Sequence, residues 1–467
     1  KESLISASLA LAAHTSVAQA EDCQGFVFTS EAKEASYEYW RTASNEKIFS
    51  CLKHHGISTA FETGVAPINL AAYTRSDATV LEYLLTEGAN PNHADKFGFT
   101  PLHDAAHGES SPKAIALLLD AGAQVDAVTN FGETPLTFAS GLSPRPADTR
   151  ALIEAGANIE YSMTVNEYVE INRPLFRAAW LNTPTLVKTL IEAGADLDAV
   201  NGQGETALDI AMSSKRFQSA RLLLQAGAHP DGGVGLGVED GDRPFALAIT
   251  AYADGEATFA LVDLFVKSGV ALDAPTDTHL SDTPLFQAFH HFEDSQDRRV
   301  FDLIASKADL NPEGKSLLVD AIKGPLSVED VASLITLGVD VNARGVGRDR
   351  VETRMIIHLN ETPLVAAATL EEHDRAKAIS QHLISNGADV NQLGVNGRSA
   401  MHVALLSENL GLVATLFEQG AEADLRDKDG ETPLESYMSK LDGAAPPAHV
   451  VPMLDALRIA QEIAASR

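Results

Sequence analysis

The sequence predicts an all-α solenoid of about eleven helix-turn-helix units joined by short β-hairpin connections. Three observations carry that expectation. GETPL occurs at 132–136 and again at 430–434, with GETAL at 204–208 and NETPL at 360–364. A second motif lies between these sites, as LLDAGAQVD at 118–126, LIEAGADLD at 190–198 and LISNGADVN at 383–391. The two keep phase: Gly88, Gly122 and Gly420 precede Pro101, Pro135 and Pro433 by 13 residues each. Two motifs locked in phase mark a repeat more strongly than either one alone.

Each stretch of a unit has a physical role. Thr caps a helix, and Pro takes the first helical position, where no N–H is needed. Leu102, Ala105 and Ala106 then follow at helical spacing, and small residues let neighbouring helices approach. A second apolar helix, such as 114–120, ends at Gly122, a residue suited to a left-handed cap. One unit cannot bury its apolar faces alone, so stacking must do it.

The helix-start site recurs at Pro67, Pro101, Pro135, Pro174, Ala207, Pro244, Pro284, Leu317, Pro363, Ala400 and Pro433. The steps are 34, 34, 39, 33, 37, 40, 33, 46, 37 and 33 residues, a base period of 33 with insertions. Ahead of the array, residues 1–20 read as a signal peptide, with basic Lys1, an apolar run at 4–13 and Ala18-Gln19-Ala20 before the cut. That reading places the mature protein in the periplasm or outside the cell. Residues 21–61 read as a helical cap, with Tyr37, Tyr39 and Trp40 covering the first unit's open face. Cys23 and Cys51 both follow the expected cut and would meet an oxidising compartment, where they are expected to pair. The array occupies 62–463, its last unit serving as the C-terminal cap, and 464–467 form a tail.

TPLHDAA at 100–106, followed by LLLDAGAQVDA at 117–127, resembles the ankyrin repeat, and the resemblance covers roughly 62–463. It implies a helix pair and a β-hairpin per unit, a curved stack, and partners met on the concave surface of hairpins and first helices. Two departures stand out. The motif's histidine survives only as His103 and His402. The unit at Ser316 lacks the proline and carries Lys307 in place of the preceding glycine, so weaker stacking is expected there.

Composition narrows function. The formal charge is −30, from 35 Lys+Arg against 65 Asp+Glu. Such a chain repels nucleic acid and anionic membrane. No later run of the sequence is long and apolar enough to insert in a bilayer. The expected partner is another protein, basic in character, and the chain is expected to be a monomer. No metalloprotease, hydrolase-elbow or phosphate-loop motif is written in the sequence, so neither an enzyme nor a cofactor is expected. His54-His55 and His290-His291 raise the question of a metal. Adjacent helical residues diverge by about 100°, so surface or packing roles are expected instead. The glycine-rich 232–241 has no lysine after it and reads as a hairpin.

Function must then be argued from surface. The residue before the cap is acidic in six of eleven units, Glu133 and Glu205 among them, which predicts a negative face. Phe97, Phe99, Phe131 and Trp180 are expected to be exposed in register and to anchor a partner. The hairpin at 343–361 carries about twelve extra residues by the array's own 13-residue spacing, with Arg348, Arg350 and Arg354 forming a basic finger. The expected function is an exported protein-binding scaffold. The alternatives are a stoichiometric neutraliser or secreted effector that blocks a basic target and, further off, a metal-binding protein or enzyme.

Overall fold

The computed structural model describes residues 23, 26–27 and 33–465, outside 75–76, 109–111, 142–144, 163–172, 182, 234–242, 274–282, 313–315 and 352–353. For 33, 112, 346–351, 354–360 and 464–465 it describes the backbone alone. The expected signal peptide and the glycine-rich 234–241 therefore lie outside the described residues.

Two compact bodies emerge, Lys1–Ala271 with Thr276–His279, and Leu272–Pro275 with Leu280–Arg467. The first holds cap helices Lys33–Thr42 and Asn45–His55, then six helix pairs, from Pro67–Thr74 with Thr79–Thr86 to Pro244–Ala253 with Phe259–Lys267. The second holds five pairs, from Pro284–Ser295 with Arg299–Ala305 to Pro433–Lys440 with Val451–Ala465. Among the described residues each body is thus an all-α stack of helix pairs, six in the first and five in the second. The one two-stranded sheet among the described residues pairs β1, Gly345–Val351, with β2, Arg354–Glu361.

The second repeat shows why the unit forms. Thr100 is extended, and its hydroxyl and backbone N–H both close on His103 three residues on, with Pro101 opening the helix. Leu102, Ala105 and Ala106 are almost wholly buried, so the helix packs its small face against its neighbours. Gly122 ends the second helix at φ +87°, and Ala123 N–H returns to the Leu118 carbonyl at 2.9 Å. An L-side chain would strain that left-handed position.

A feature of the second motif gains its meaning only here. The Asp, Asn or Glu at its end accepts a hydrogen bond from the backbone N–H of the next unit. In the first body the rungs are Asn92 to Gln124, Asp126 to Asn158, Glu160 to Asp196, Asp198 to His229 and Asp231 to Ala271, at 2.7–3.0 Å. The second body continues with Asp273 to Asp309, Asn311 to Asp340, Asn342 to Asp389 and Asn391 to Glu422. The repeated polar residue thus bonds unit to unit along each stack.

The unit at Ser316 forms without its proline. Ser316 Oγ accepts from the Val319 N–H, and Leu317, Leu318, Val319, Ala321 and Ile322 are fully buried. Gly345, at the foot of β1, lies so close to Ser316 that an added Cβ would come within 2.8 Å of its side chain. At the foot of β2, Glu361 pairs with Lys323 at 2.8 Å, both nearly buried.

In the cap, Cys23 and Cys51 are disulfide-bonded, with Cα atoms 5.7 Å apart and both residues buried. Phe26 stacks on Trp40 at 4.9 Å, and Trp40 Nε1 donates to the Phe26 carbonyl. Trp40 therefore fills the cap's own core, where the sequence had suggested a cover for the first unit. Tyr37 is the ring that reaches forward, meeting Tyr73 at 5.0 Å.

Candidate functional site: the first-helix face of the N-terminal body

Repetition puts equivalent residues side by side. The residue seven beyond the cap position is Tyr73, His107, Gly141 and Trp180 in four successive units. The residue four beyond it is Leu70, Asp104, Phe138 and Arg177. On a helix these positions are one turn apart and share a face.

The rings form a ladder along that face. Tyr37 meets Tyr73 at 5.0 Å, Tyr73 meets His107 at 5.8 Å, and His107 meets Phe138 at 5.6 Å. The Arg177 guanidinium lies 5.6 Å above the Phe138 ring and pairs with Glu133 at 2.6 Å. Gly141 makes room for it, because a Cβ there would stand 2.6 Å from Arg177 Nε. Trp180 ends the row, 46% exposed.

Behind the ladder, His103 is fully buried. Its Nδ1 accepts from the Thr100 N–H and its Nε2 lies 3.0 Å from the Glu133 carbonyl, which fixes the Nε2–H tautomer. Burial drives its pKa down to about 4, against the opposing pull of hydrogen bonds to the Glu133 and Ala127 carbonyls. His402 repeats the arrangement, with Ser399 behind it and the Glu431 carbonyl ahead. Asp209 serves the same position with an acid, accepting from the Thr206 N–H and hydroxyl and from the Gly233 N–H.

Asp104 is the unusual group. Asn69 Nδ2 donates to its Oδ2 at 2.8 Å, and no cation pairs with it among the described residues. Burial raises its pKa to about 8, the Asn69 bond pulling the other way and the Asp95 charge adding to the rise. The Tyr37 phenol is pushed up as well, by burial first and then by the charge of Asp104. Burial and the Arg177 charge hold His107 below the usual imidazole range.

The expected site residues fare differently. Phe97 and Phe131 are 53% and 54% exposed and stack at 6.4 Å, joined at the hairpin tips where Asn130 N–H donates to the Phe97 carbonyl. Phe99 is a correction: it turns inward, packing 5.3 Å from Phe138 and 5.9 Å from His103. Asp95 forces this alternation, since its Oδ1 accepts from the N–H groups of both Phe97 and Phe99 and tightens the turn. Trp180 is exposed, but at the far end of a seven-residue helix, and no ring contact joins it to the Phe97–Phe131 pair among the described residues.

Of the six acids expected to form a negative face, Asp242 and Asp282 lie outside the described residues, and the other four have partners. Glu133 is neutralised by Arg177, and Glu205 accepts from Asn201 Nδ2 at 2.8 Å. Glu361 is buried against Lys323, and Glu431 accepts from Ser439. Glu133 and Glu361 thus serve joints between units, while Glu205 and Glu431 bond within their own. Arg348 and Arg350 lie on β1 in register with Ile357 and Met355, and Arg354 opens β2 opposite Val351. Their side chains are outside the described residues. His290 pairs with Glu293 at 3.0 Å, and His291 lies near Ser295.

Tyr73, His107 and Asp104 were missed by the sequence reading. Tyr73 and His107 occupy the same unit position as Trp180, so reading that position across all units would have found them. Asp104 leaves no such trace, since its state depends on what covers it.

The fold and this face define a helical-repeat protein that presents side chains from successive first helices on one surface. Residues 68–163 match the family model described as ankyrin repeats in three copies, and 175–224 match that for ankyrin repeats in many copies. These two stretches are therefore similar to ankyrin repeats. It is 35% identical over 99 residues to NF-kappa-B inhibitor delta of Mus musculus, covering 21% of this chain and 29% of that protein. It is 32% identical over 131 residues to putative ankyrin repeat protein FPV031 of Fowlpox virus, covering 27% of this chain and 34% of that one. A stretch of 175 residues, 38% of this chain, is 31% identical to Neurogenic locus notch homolog protein 1 of Mus musculus, of which it covers 6%. The chain thus spans about a third or less of these relatives. Among solved structures, the human ASB11 ankyrin repeat domain aligns over 52% of this chain and 98% of that one, at 22% identity and a TM-score of 0.39.

Proposed function

We propose that this chain is a protein-binding repeat scaffold that works outside the cytoplasm, in an oxidising compartment. The observation that carries the binding reading is the run of rings on this face, half-buried at Tyr73 and His107 and exposed at Trp180. Tyr73, His107 and Trp180 stand at one unit position, and Phe97 and Phe131 extend the apolar surface at the hairpin tips. Aromatic side chains on a rigid frame are the residues that most often anchor protein contacts. Ankyrin repeats generally mediate such contacts, which supports the reading. The Cys23–Cys51 bond supports the compartment, because disulfides persist where thiols are not kept reduced.

The test is a crosslinked capture from the organism's own cell-envelope fraction, using residues 21–467 beside a Phe97→Ala/Phe131→Ala/Trp180→Ala variant. A protein held by the parent and lost from the variant supports the reading. The same proteins in both lanes remove this face as the site. Export is checked separately, by finding the chain with a new N-terminus near Glu21 in that fraction; a chain found whole in the cytoplasm sinks it.

A further inference from the structure

A two-stranded ribbon has two outer edges, and in the second body β1 and β2 form one, with no third strand beside them among the described residues. Its feet are fixed to the stack, Gly345 against Ser316 and Glu361 against Lys323. Only two residues separate Val351 from Arg354, so this pair closes the hairpin and can bond only to each other. Hydrogen-bonded and non-hydrogen-bonded pairs alternate along an antiparallel ladder. Asp349 with Ile356 and Gly347 with His358 are therefore hydrogen-bonded pairs, while Arg348 with Ile357 and Arg350 with Met355 are not. Backbone N–H and C=O groups of the second set face away from the partner strand. Arg348 and Arg350 carry them on the outer edge of β1, and Met355 and Ile357 on that of β2.

The same register places Arg348, Arg350, Met355 and Ile357 on one face and Asp349 on the other, so among the paired residues the first face carries no acid. An unpaired strand edge is a template for a further strand, whose main chain supplies affinity and whose alternate residues supply selectivity. A strand laid antiparallel on β1 would set two of its residues, two apart, directly opposite Arg348 and Arg350. Opposite charges attract at such positions and like charges repel. A second copy pairing β1 to β1 about Asp349 would oppose Arg348 to Arg350 and Asp349 to itself. Copies joined through Met355 and Ile357 would bring together two chains of formal charge −30 each. The charge pattern thus favours a different chain, with acids opposite the two arginines.

We propose that the β1 edge takes up an extended segment of a partner protein, antiparallel, with acidic residues two apart opposite Arg348 and Arg350. The inference shares with the reading above only that the partner is a protein, and it uses residues of the other body. It calls for an acidic segment, where the chain's overall charge calls for a basic partner. Main-chain bonds at Arg348 and Arg350 hold the segment, and the two charge pairs set its register.

The test titrates the full chain, labelled with heavy nitrogen at arginine, methionine and isoleucine, with the acetylated peptide amide Thr-Glu-Val-Glu-Thr. One control peptide carries lysine in place of both glutamates. Another has both glutamates N-methylated, which keeps the charge and removes the donors that face β1. The expected result is that the backbone amide signals of Arg348 and Arg350 move and exchange more slowly, while those of Met355 and Ile357 hold still. Both control peptides bind at least tenfold more weakly, and Arg348→Ala/Arg350→Ala weakens the glutamate peptide at least tenfold. Equal binding of the N-methylated peptide would reduce the contact to charge and overturn strand addition. Movement at Met355 and Ile357 instead, with peptide or on raising the protein concentration alone, would assign the edge to β2 or to a second copy and overturn the proposal. Four unmoved amides overturn it outright and leave the aromatic-face reading standing, since that reading is judged by other residues in another assay.

Discussion

His103 and Glu133 are joined across a repeat boundary, the imidazole Nε2–H of one unit donating to the backbone carbonyl of the next at 3.0 Å. The same ring closes the cap of its own helix through Nδ1. One buried side chain thus sets where its helix starts and where the following hairpin lies. Replacing His103 by Leu leaves the Thr100 N–H and the Glu133 carbonyl without that partner, and should cost about 1–3 kcal/mol in denaturant unfolding. A variant as stable as the parent would show that the histidine is not a joint.

The same ring makes a pH prediction. Its folded pKa of about 4 lies below the ordinary histidine value of 6.5, so the folded state prefers the neutral form. The stability it contributes is present above pH 6.5 and is lost as pH falls through about 4. Melting temperature should decline over that window, and His103→Leu should flatten the decline.

Asp104 works in the opposite direction. Its folded pKa of about 8 lies above the ordinary 3.8, so its contribution is present below pH 3.8 and is lost as pH rises through about 8. Asp104→Asn should therefore match the parent at low pH and melt higher than it at pH 8. Equal melting at both ends would mean the carboxyl is not covered as described.

The pair of Arg177 and Glu133 predicts a neighbour effect. Arg177→Met leaves a largely buried carboxylate unmatched, and should cost about 1–3 kcal/mol. Gly141→Ala should act through the same arginine by pushing its guanidinium aside. A double-mutant cycle measures the coupling; strictly additive effects would show that the two residues do not meet.

The cap predicts a redox response. Opening the Cys23–Cys51 bond frees a 28-residue loop, worth about 3–4 kcal/mol by loop-closure entropy. Trp40 is buried and Trp180 exposed, so reduction should shift the buried tryptophan's fluorescence to the red while leaving Trp180 unchanged. No change in Trp40→Phe-corrected emission under reductant would show that the cap holds without the bond.

The helix pairs were legible in the sequence because their causes are local and repeated. A Thr-Pro start, a glycine end and apolar residues at helical spacing each act within a few residues, and eleven copies in phase leave little room for another fold. Side-chain partners were not legible in that way. Phe97 and Phe99 are two residues apart and look alike, yet the Asp95 turn exposes one and half-buries the other against a ring from the next unit. Glu133 and Glu205 looked like an acidic surface and prove to be tied to Arg177 and Asn201. The sequence by itself determined the unit, its period and the ring-bearing positions, since those follow from backbone capping and hydrophobic spacing. Only the tertiary structure decided which charges are matched, because a carboxyl's state depends on the groups that neighbouring units bring to it. Glu133 receives an arginine from a residue 44 positions on, and among the described residues Asp104 receives only an amide.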